Sequence, residues 1–201
     1  MMQEFWNKRF GEAAYAYGTA PNAFFASCLD GRTPGRLLLP AEGEGRNAVH
    51  AARLGWQVEA CDYSAAGRDK ALRLAAEAGV TIDYRLVDLA EYEPPAAHYD
   101  MVACIYLHLP PALRRVVHRR LAHALVPGGT LILEAFAKEQ LGNPSGGPQD
   151  EAMLYNIAEL SEDFADLNLE LSCREKIVLH EGQFHEGEAQ VVRLIARRDE
   201  P

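Results

Sequence analysis

Few of this sequence's features would place it outside an ordinary folded interior. Its four cysteines, Cys28, Cys61, Cys104 and Cys173, are scattered and form no C-x-x-C pair, which argues against a disulfide framework or a zinc site. Cys61 and Cys104 lie inside apolar runs, where a reduced thiol behaves as a small hydrophobe. No apolar run approaches the ~18 residues of a membrane-spanning helix. The opening MMQEFWNKRF carries an early glutamate and no apolar stretch, so neither a membrane partner nor an export signal is expected. Positive charge is in deficit: 20 Lys and Arg against 29 Asp and Glu leave a net charge of −9. Such a surface repels phosphate backbones and argues against nucleic acid as a partner. A reduced, cytoplasmic protein that handles a small molecule is the expectation. One local exception is RRVVHRR, residues 114–120. Its cations are expected on a helical face opposite Leu113, Val116, Val117 and Leu121, as an amphipathic surface helix, with a partner or RNA patch as the other reading.

What is present is a regular alternation. At 201 residues and 48% hydrophobic composition, the chain suffices for one substantial core and is short for two, so a single domain over 1–201 is expected. Apolar runs at Arg36–Pro40, QVEACD, TIDYRLVDL and YDMVACIYL read as strands. Helical patterns fill the gaps: Arg46 to Leu54 ending at Gly55, then the segment opened by Ser64 and closed by Gly79, then PPALRRVVHRRLAHAL with proline in its first turn. PGGTLILEAF is a turn and fifth strand. Residues 136–150, rich in Gly and Pro, form a candidate lid loop. A short helix around Tyr155–Leu167 leads into LELSCREKIVLHEG and EAQVVRLIARR, two strands joined as an antiparallel hairpin. Alternation at this spacing predicts an α/β three-layer sandwich of Rossmann-like type, with a mostly parallel seven-stranded sheet closed by that hairpin. Ligands of such sheets lie beyond the carboxyl ends of the strands, so the residues that follow each strand are the candidates.

After the first strand comes AEGEGRNA, in which Gly43, Gly45 and Ala48 fit G-x-G-x-x-G/A. Glycines there admit close backbone approach, and the helix opening at Arg46 aims free N–H groups at the turn. The pattern serves nicotinamide dinucleotides and S-adenosylmethionine, and it also occurs as plain architecture. Asp62 ends the second strand about 20 residues further on, where a carboxylate accepts ribose hydroxyls; helix capping is the alternative, but Ser64 already offers it. Asp88, ending the third strand, is placed to accept from an adenine amino group. Tyr106 and His108 follow the fourth strand, and His108 is either an acceptor-binding or proton-accepting group or a histidine at the edge of the core. Glu134 ends the fifth strand, facing the same cleft or partnering an arginine. His185, with His180 and Glu181, lies on the last hairpin; its spacing matches no strong metal motif, and no metal is expected. Trp6, Arg9, Tyr15 and Tyr17 precede the sheet in a segment, 1–30, whose aromatic residues read as packing on the core.

Taken together, YAYGTAPNAF, AEGEGRNAV, CDYS, HLPPALR, PGGTLILEAF and LHEGQFHEGEAQVVRLIAR resemble the class I S-adenosylmethionine-dependent methyltransferases. More narrowly, they resemble the tellurite-resistance and thiopurine-methyltransferase-like group of small bacterial enzymes. The resemblance implies S-adenosyl-L-methionine as cofactor, held by Glu42, Gly43, Gly45, Arg46, Asn47, Asp62, Tyr63, Ser64, Asp88, Leu89 and Ile105. It implies that segment 1–30 instead folds as a cap over the cofactor and acceptor. It also implies acceptor-side roles for Tyr17, Asn22 and Glu134, and catalytic candidates in Tyr106, His108 and His185. The acceptor would be a small molecule such as a thiol, thiopurine or chalcogen oxyanion. The chain departs from the family in one place: Leu39 and Ala41 stand where an acid and a glycine are usual, so Glu42 is expected to partner the methionyl ammonium instead. An NAD(P)-dependent reductase and a non-catalytic cofactor-binding protein of the same fold are the alternative readings.

Overall fold

A computed structural model of the chain describes residues 2–200, with Met1 and Pro201 outside the description. Seven strands form one sheet: β1 (Arg36–Pro40), β2 (Gln57–Asp62), β3 (Asp83–Leu86), β4 (Tyr99–Ile105), β5 (Leu125–Phe136), β6 (Asn168–His180) and β7 (Glu186–Arg197). Their order is β3-β2-β1-β4-β5-β7-β6. The first five run parallel, β7 pairs antiparallel with β5, and β6 antiparallel with β7. The strand order reverses between β1 and β4, which opens a crevice at their carboxyl ends.

The uninterrupted apolar runs have a simple cause, because the central strands are covered on both faces. Leu38, Val102 and Cys104 point to one side, into a core shared with Val117, Leu121 and Leu160. Leu37, Leu39, Met101 and Ala103 point to the other, against Phe25, Val49 and Ala71. The first face is covered by α5 (Pro111–Ala124) and α6 (Ile157–Asp163), the second by α2 (Ala23–Leu29), α3 (Arg46–Arg53) and α4 (Ala65–Glu77). The remaining helix, α1 (Met2–Phe10), lies against α4. Ser64 caps α4 by accepting from Gly67 N. Gly55 and Gly79 follow α3 and α4 at φ +91° and +68°, where an L side chain would be strained. The third strand is shorter than its apolar run, and the Pro-Gly-Gly turn is absorbed as an irregularity within β5, between the pairs Tyr99–Leu125 and Met101–Thr130.

Helix α5 corrects the sequence reading. Val116, expected on the apolar face, is 45% exposed, whereas Arg114 and His118 are buried. Residues 114, 117, 118 and 121 complete an i, i+3, i+4, i+7 stripe, two of whose members are polar. What lets them face inward is Asp163 at the end of α6: it accepts from Arg114 Nε at 2.6 Å and pairs with His118 Nδ1 at 2.8 Å. Burial disfavours the charged form of His118 and lowers its pKa. Burial alone would raise the Asp163 carboxyl, but its hydrogen bonds to His118 and Arg114 outweigh that and hold it low. The candidate lid is also anchored. Within it, Gln140 donates to Ser145 Oγ and Gly146 O, and accepts from Gln190 N, while Ser145 Oγ donates to Glu188 O. These bonds tie residues 140–146 to β7.

The chain turns out of β1 at Ala41, whose φ is +52°. A non-glycine residue there costs about 1–2 kcal/mol. Ala41→Gly should therefore raise the unfolding free energy by about 1 kcal/mol, after allowing for the freer unfolded chain, as read from urea denaturation. A loss of stability would mean that the Ala41 methyl group's packing outweighs the strain. Asp163→Asn should lower it by about 3 kcal/mol, near the low end for breaking a buried ion pair because Glu159 still holds Arg114. The depressed Asp163 pKa makes this contribution present above the usual carboxylate range and lost as pH falls through the folded value. The variant should thus lose part of the wild-type acid sensitivity, and equal stability at all pH values would contradict the assignment.

Candidate functional site

The turn between β1 and α3 is built by its own side chains. Gly43 has φ +63°, and a Cβ there would meet the Phe10 ring at 3.0 Å; Gly45 has φ +88°, and a Cβ would meet Ala71 Cβ at 2.5 Å. Both glycines thus allow close protein packing on one side of the turn. Gly43 is fixed twice more, its N–H donating to Asp62 Oδ2 at 3.1 Å and its carbonyl accepting from Tyr84 Oη at 2.6 Å. Glu42 Oε1 accepts from the backbone N–H groups of Asn47 and Ala48, each at 2.8 Å, and so caps the positive end of α3. Burial raises the Glu42 carboxyl to about 7, against the pull of those donors and of Arg46. Glu44, absent from the sequence-based candidates, is buried between Lys70 Nζ at 2.7 Å and Ala16 N at 2.7 Å. It fastens the N-terminal segment to the turn and to α4.

On the β2–β3 side, Asp62 lies at the carboxyl end of its strand, buried, with Oδ1 accepting from Ser64 N at 2.8 Å. Burial raises it to about 6, against three backbone N–H donors. Ser64 Oγ accepts from Gly67 N and donates to Asn7 Oδ1, so this hydroxyl is committed within the protein. Tyr63 is half-buried, and burial followed by the charges of Asp62 and Asp88 raises its phenol to about 12. Asp88 is exposed beyond β3, with Oδ1 accepting from Ala90 N. Leu89 packs at the margin of the core on the α5 face, and Ile105 ends β4.

On the β4–β5–β7 side the candidates converge. Tyr106 has φ +54°, and its hydroxyl is buried without a hydrogen-bond partner of good geometry. Burial raises its pKa well above the usual phenol value, and the nearby carboxylates of Glu134 and Glu181 add to this. His185 lies between two tyrosines, with ring centroids 4.4 Å from Tyr17 and 4.5 Å from Tyr106, and Phe136 at 5.2 Å completes the enclosure. Burial lowers the His185 pKa, and Arg46 and Arg9 lower it further. His108 has both nitrogens engaged: Nδ1 contacts Met153 O at 2.7 Å and Nε2 accepts from Phe136 N at 3.2 Å. That pairing assigns the Nδ1–H tautomer, and burial lowers its pKa to about 4. No lone pair of His108 is left over in this arrangement. Glu134 is fully buried, accepting from Asn22 Nδ2 and Arg193 Nε, each at 2.6 Å.

Glu181 joins these pieces. It accepts from Arg46 at 2.8 Å and from Asn22 Nδ2 at 3.1 Å, and contacts His185 Nδ1 at 3.3 Å. Burial alone would raise its carboxyl, but His185 and Arg46 outweigh that and hold it low. Asn22 also accepts from Phe25 N to cap α2, and its own N–H donates to Asn47 Oδ1. Arg46 reaches Tyr17 O as well. The N-terminal segment, α3 and the β6–β7 turn therefore meet at one carboxylate. Sequence reasoning noted Glu181 only as a neighbour of His185, because nothing in the linear pattern brings residues 22, 46 and 181 together. Gly146 and Gly147 of the 136–150 loop press against His185 and Phe136, making that loop a wall of the same region. His180 pairs instead with Glu186 on the surface. Among the described residues, no three His, Cys, Asp or Glu side chains are grouped to hold a metal ion, and no helix is long and apolar enough to cross a membrane.

Comparison with known proteins bears on this geometry. Residues 40–129, from the end of β1 to the turn inside β5, match the model of a methyltransferase domain. No curated protein matches the chain by sequence. Among solved structures, TehB from Haemophilus influenzae is similar over 98% of this chain and 67% of its own, at 15% identity and TM-score 0.73. Magnesium protoporphyrin IX methyltransferase from Synechocystis PCC 6803, solved with bound SAH, is similar over 98% of each chain, at 19% identity and TM-score 0.70. The [4+2]-cyclase SpnF is similar over 100% of this chain and 96% of its own, at 15% identity and TM-score 0.73. The chain thus has the seven-stranded, Rossmann-like methyltransferase fold, and its first half of the sheet carries the sequence pattern of a methyltransferase domain.

Proposed function

We propose that the protein binds S-adenosyl-L-methionine at the carboxyl ends of β1 to β4 and transfers its methyl group to a small molecule on the β4–β5–β7 side. The observation that carries this reading is Asp62. Its carboxylate is pinned by backbone N–H groups beside the glycine turn, at the strand end where this fold receives a ribose. The residues present fit the cofactor. Asp62 retains acceptor capacity for hydroxyls, Asp88 lies beyond the neighbouring strand for the adenine, and Glu42 offers a buried carboxylate for an ammonium. The Tyr106 hydroxyl is buried beside the Glu134 and Glu181 carboxylates without a hydrogen bond of good geometry among the described residues.

When bound, the cofactor supplies a methyl group on a sulfonium centre, which a nucleophile displaces in line. The chain's task is then to position and desolvate, and the aromatic enclosure of Tyr17, Tyr106, Phe136 and His185 suits the exclusion of water. His108 fits an orienting role, holding Phe136 and the backbone at Met153. A thiol, thiopurine or chalcogen oxyanion needs no strong general base, which agrees with a site whose two histidines have depressed pKa values. The N-terminal cap and the whole-chain likeness to TehB support a place in the tellurite-resistance and thiopurine-methyltransferase-like group. The cyclase of the same fold favours a second reading, in which cofactor binding persists without methyl transfer. Incubation with methyl-labelled cofactor and a panel of thiols, thiopurines, tellurite and selenite separates the two: labelled product supports the first reading, and cofactor binding with no transfer across the panel supports the second.

Calorimetric titration should show binding of S-adenosylhomocysteine and none of NADH; the reverse pattern would establish a reductase. Asp62→Ala should weaken S-adenosylhomocysteine binding roughly 10- to 100-fold, the range for losing hydrogen bonds to a charged acceptor, and unchanged affinity would remove Asp62 from the site. Glu42 predicts a pH dependence. Its folded pKa is raised to about 7, so the ligand-free fold holds a proton that the unfolded chain has released, and stability declines as pH rises toward that value. An ammonium partner needs the ionised form, so affinity should fall as pH drops below about 7. Glu42→Gln should flatten both dependences, and two unchanged profiles would place Glu42 outside the binding equilibrium.

A further inference from the structure

Arg9 is a cation placed where neither the fold nor the proposed cofactor site requires one. Its guanidinium lies over three aromatic rings, 4.1 Å from the centroid of Phe184, 4.6 Å from Phe5 and 5.4 Å from Trp6. It donates to Tyr17 Oη at 3.0 Å. The other two arginines of this region are neutralised, Arg46 by Glu181 and Arg193 by Glu134 and Glu175. Arg9 has no carboxylate within 4 Å among the described residues. The dipole of α1 favours a cation in its last turn, but a dipole does not aim the side chain across to the β6–β7 turn. The aromatic faces and Tyr17 do that, and they hold the planar guanidinium in one orientation at small entropic cost.

The position gives the charge a use. Tyr17 touches His185, and His185 touches Tyr106 at the end of β4, so Arg9 stands at the outer end of a line of rings that leads to the switch point. The inner end of this line, Tyr106, follows β4, across β1 from β2 and Asp62, while its outer end rests on α1. We propose that Arg9, with Tyr17, forms the anion-recognising end of the acceptor site, and that the acceptor is a planar, aromatic small molecule carrying a negative charge. The aromatic walls take the ring, and the forked guanidinium takes a carboxylate or comparable oxyanion in two parallel hydrogen bonds. This rests on the methyltransferase reading above and names the class of substrate for that site.

The test uses the full chain saturated with S-adenosylhomocysteine, with 2-mercaptobenzoate and its uncharged amide, 2-mercaptobenzamide, as probes in calorimetry. Wild type should bind the carboxylate at least about tenfold more tightly than the amide, the scale of one charge-assisted contact. Arg9→Gln should erase that preference while leaving the amide's affinity and the affinity for S-adenosylhomocysteine unchanged. Arg9→Lys, which keeps the charge without the fork, should retain part of the preference, and a thermal melt of each variant verifies folding. Equal affinities in wild type, or a preference that survives Arg9→Gln, would overturn the proposal. So would an Arg9→Gln variant that loses S-adenosylhomocysteine, which would assign the arginine to the cofactor. Failure of wild type itself to bind S-adenosylhomocysteine would instead count against the methyltransferase reading.

Discussion

The reversal of the chain between β1 and α3 is the constraint that the rest of the site depends on. Ala41 turns left-handed, Glu42 folds its carboxylate onto the first free N–H groups of α3, and Gly45 lets α3 press against Ala71 of α4. Gly43, at the centre, is held by Asp62 from β2, Tyr84 from β3 and Phe10 from α1. Three strands and three helices are thereby referenced to five residues. Burying two carboxylates here, with pKa values near 7 and 6, is costly unless donors surround them. Backbone N–H groups supply much of that compensation. A positively charged ligand group would supply more.

A second constraint acts across the mouth. Glu181 gathers Arg46, Asn22 and His185 from three distant stretches of chain, and Glu134 gathers Asn22 and Arg193 beneath it. The polar groups here are almost fully paired, and the exception, the Tyr106 hydroxyl, occurs where the backbone is also strained. Strain and an orphan donor at one residue are the kind of cost that a fold retains at a working site. The aromatic rings around His185 close over this point, and the 136–150 loop backs them.

The sheet was legible in the sequence because burial on both faces writes strands as continuous apolar runs, and because Ser64, Gly55 and Gly79 mark helix ends by local chemistry. The place of Asp62 at the end of β2, beside the glycine turn, is legible for the same local reason, its distance from the glycine pair. The inward face of α5 is not legible from its charges, because the carboxylates that make Arg114 and His118 interior residues, Asp163 and for Arg114 also Glu159, lie 45 or 49 residues further along the chain. Glu44 carries no local signal, and Glu181 is visible only as a neighbour of His185, since their partners Lys70, Ala16, Arg46 and Asn22 are far apart in sequence. His108 was visible as a residue of interest, but its two hydrogen bonds, to Met153 and Phe136, depend on a loop and a strand end that no spacing rule brings together.

The central claim is that the cofactor occupies the carboxyl ends of β1 to β4, held against the turn at Ala41–Gly45. Amide hydrogen exchange of the full chain, measured with and without S-adenosylhomocysteine, tests it most directly. The account predicts added protection concentrated in residues 41–48, 62–64 and 88–90, with smaller effects elsewhere on the sheet. Protection confined to the opposite end of the strands, or no ligand-dependent change around Asp62, would contradict it.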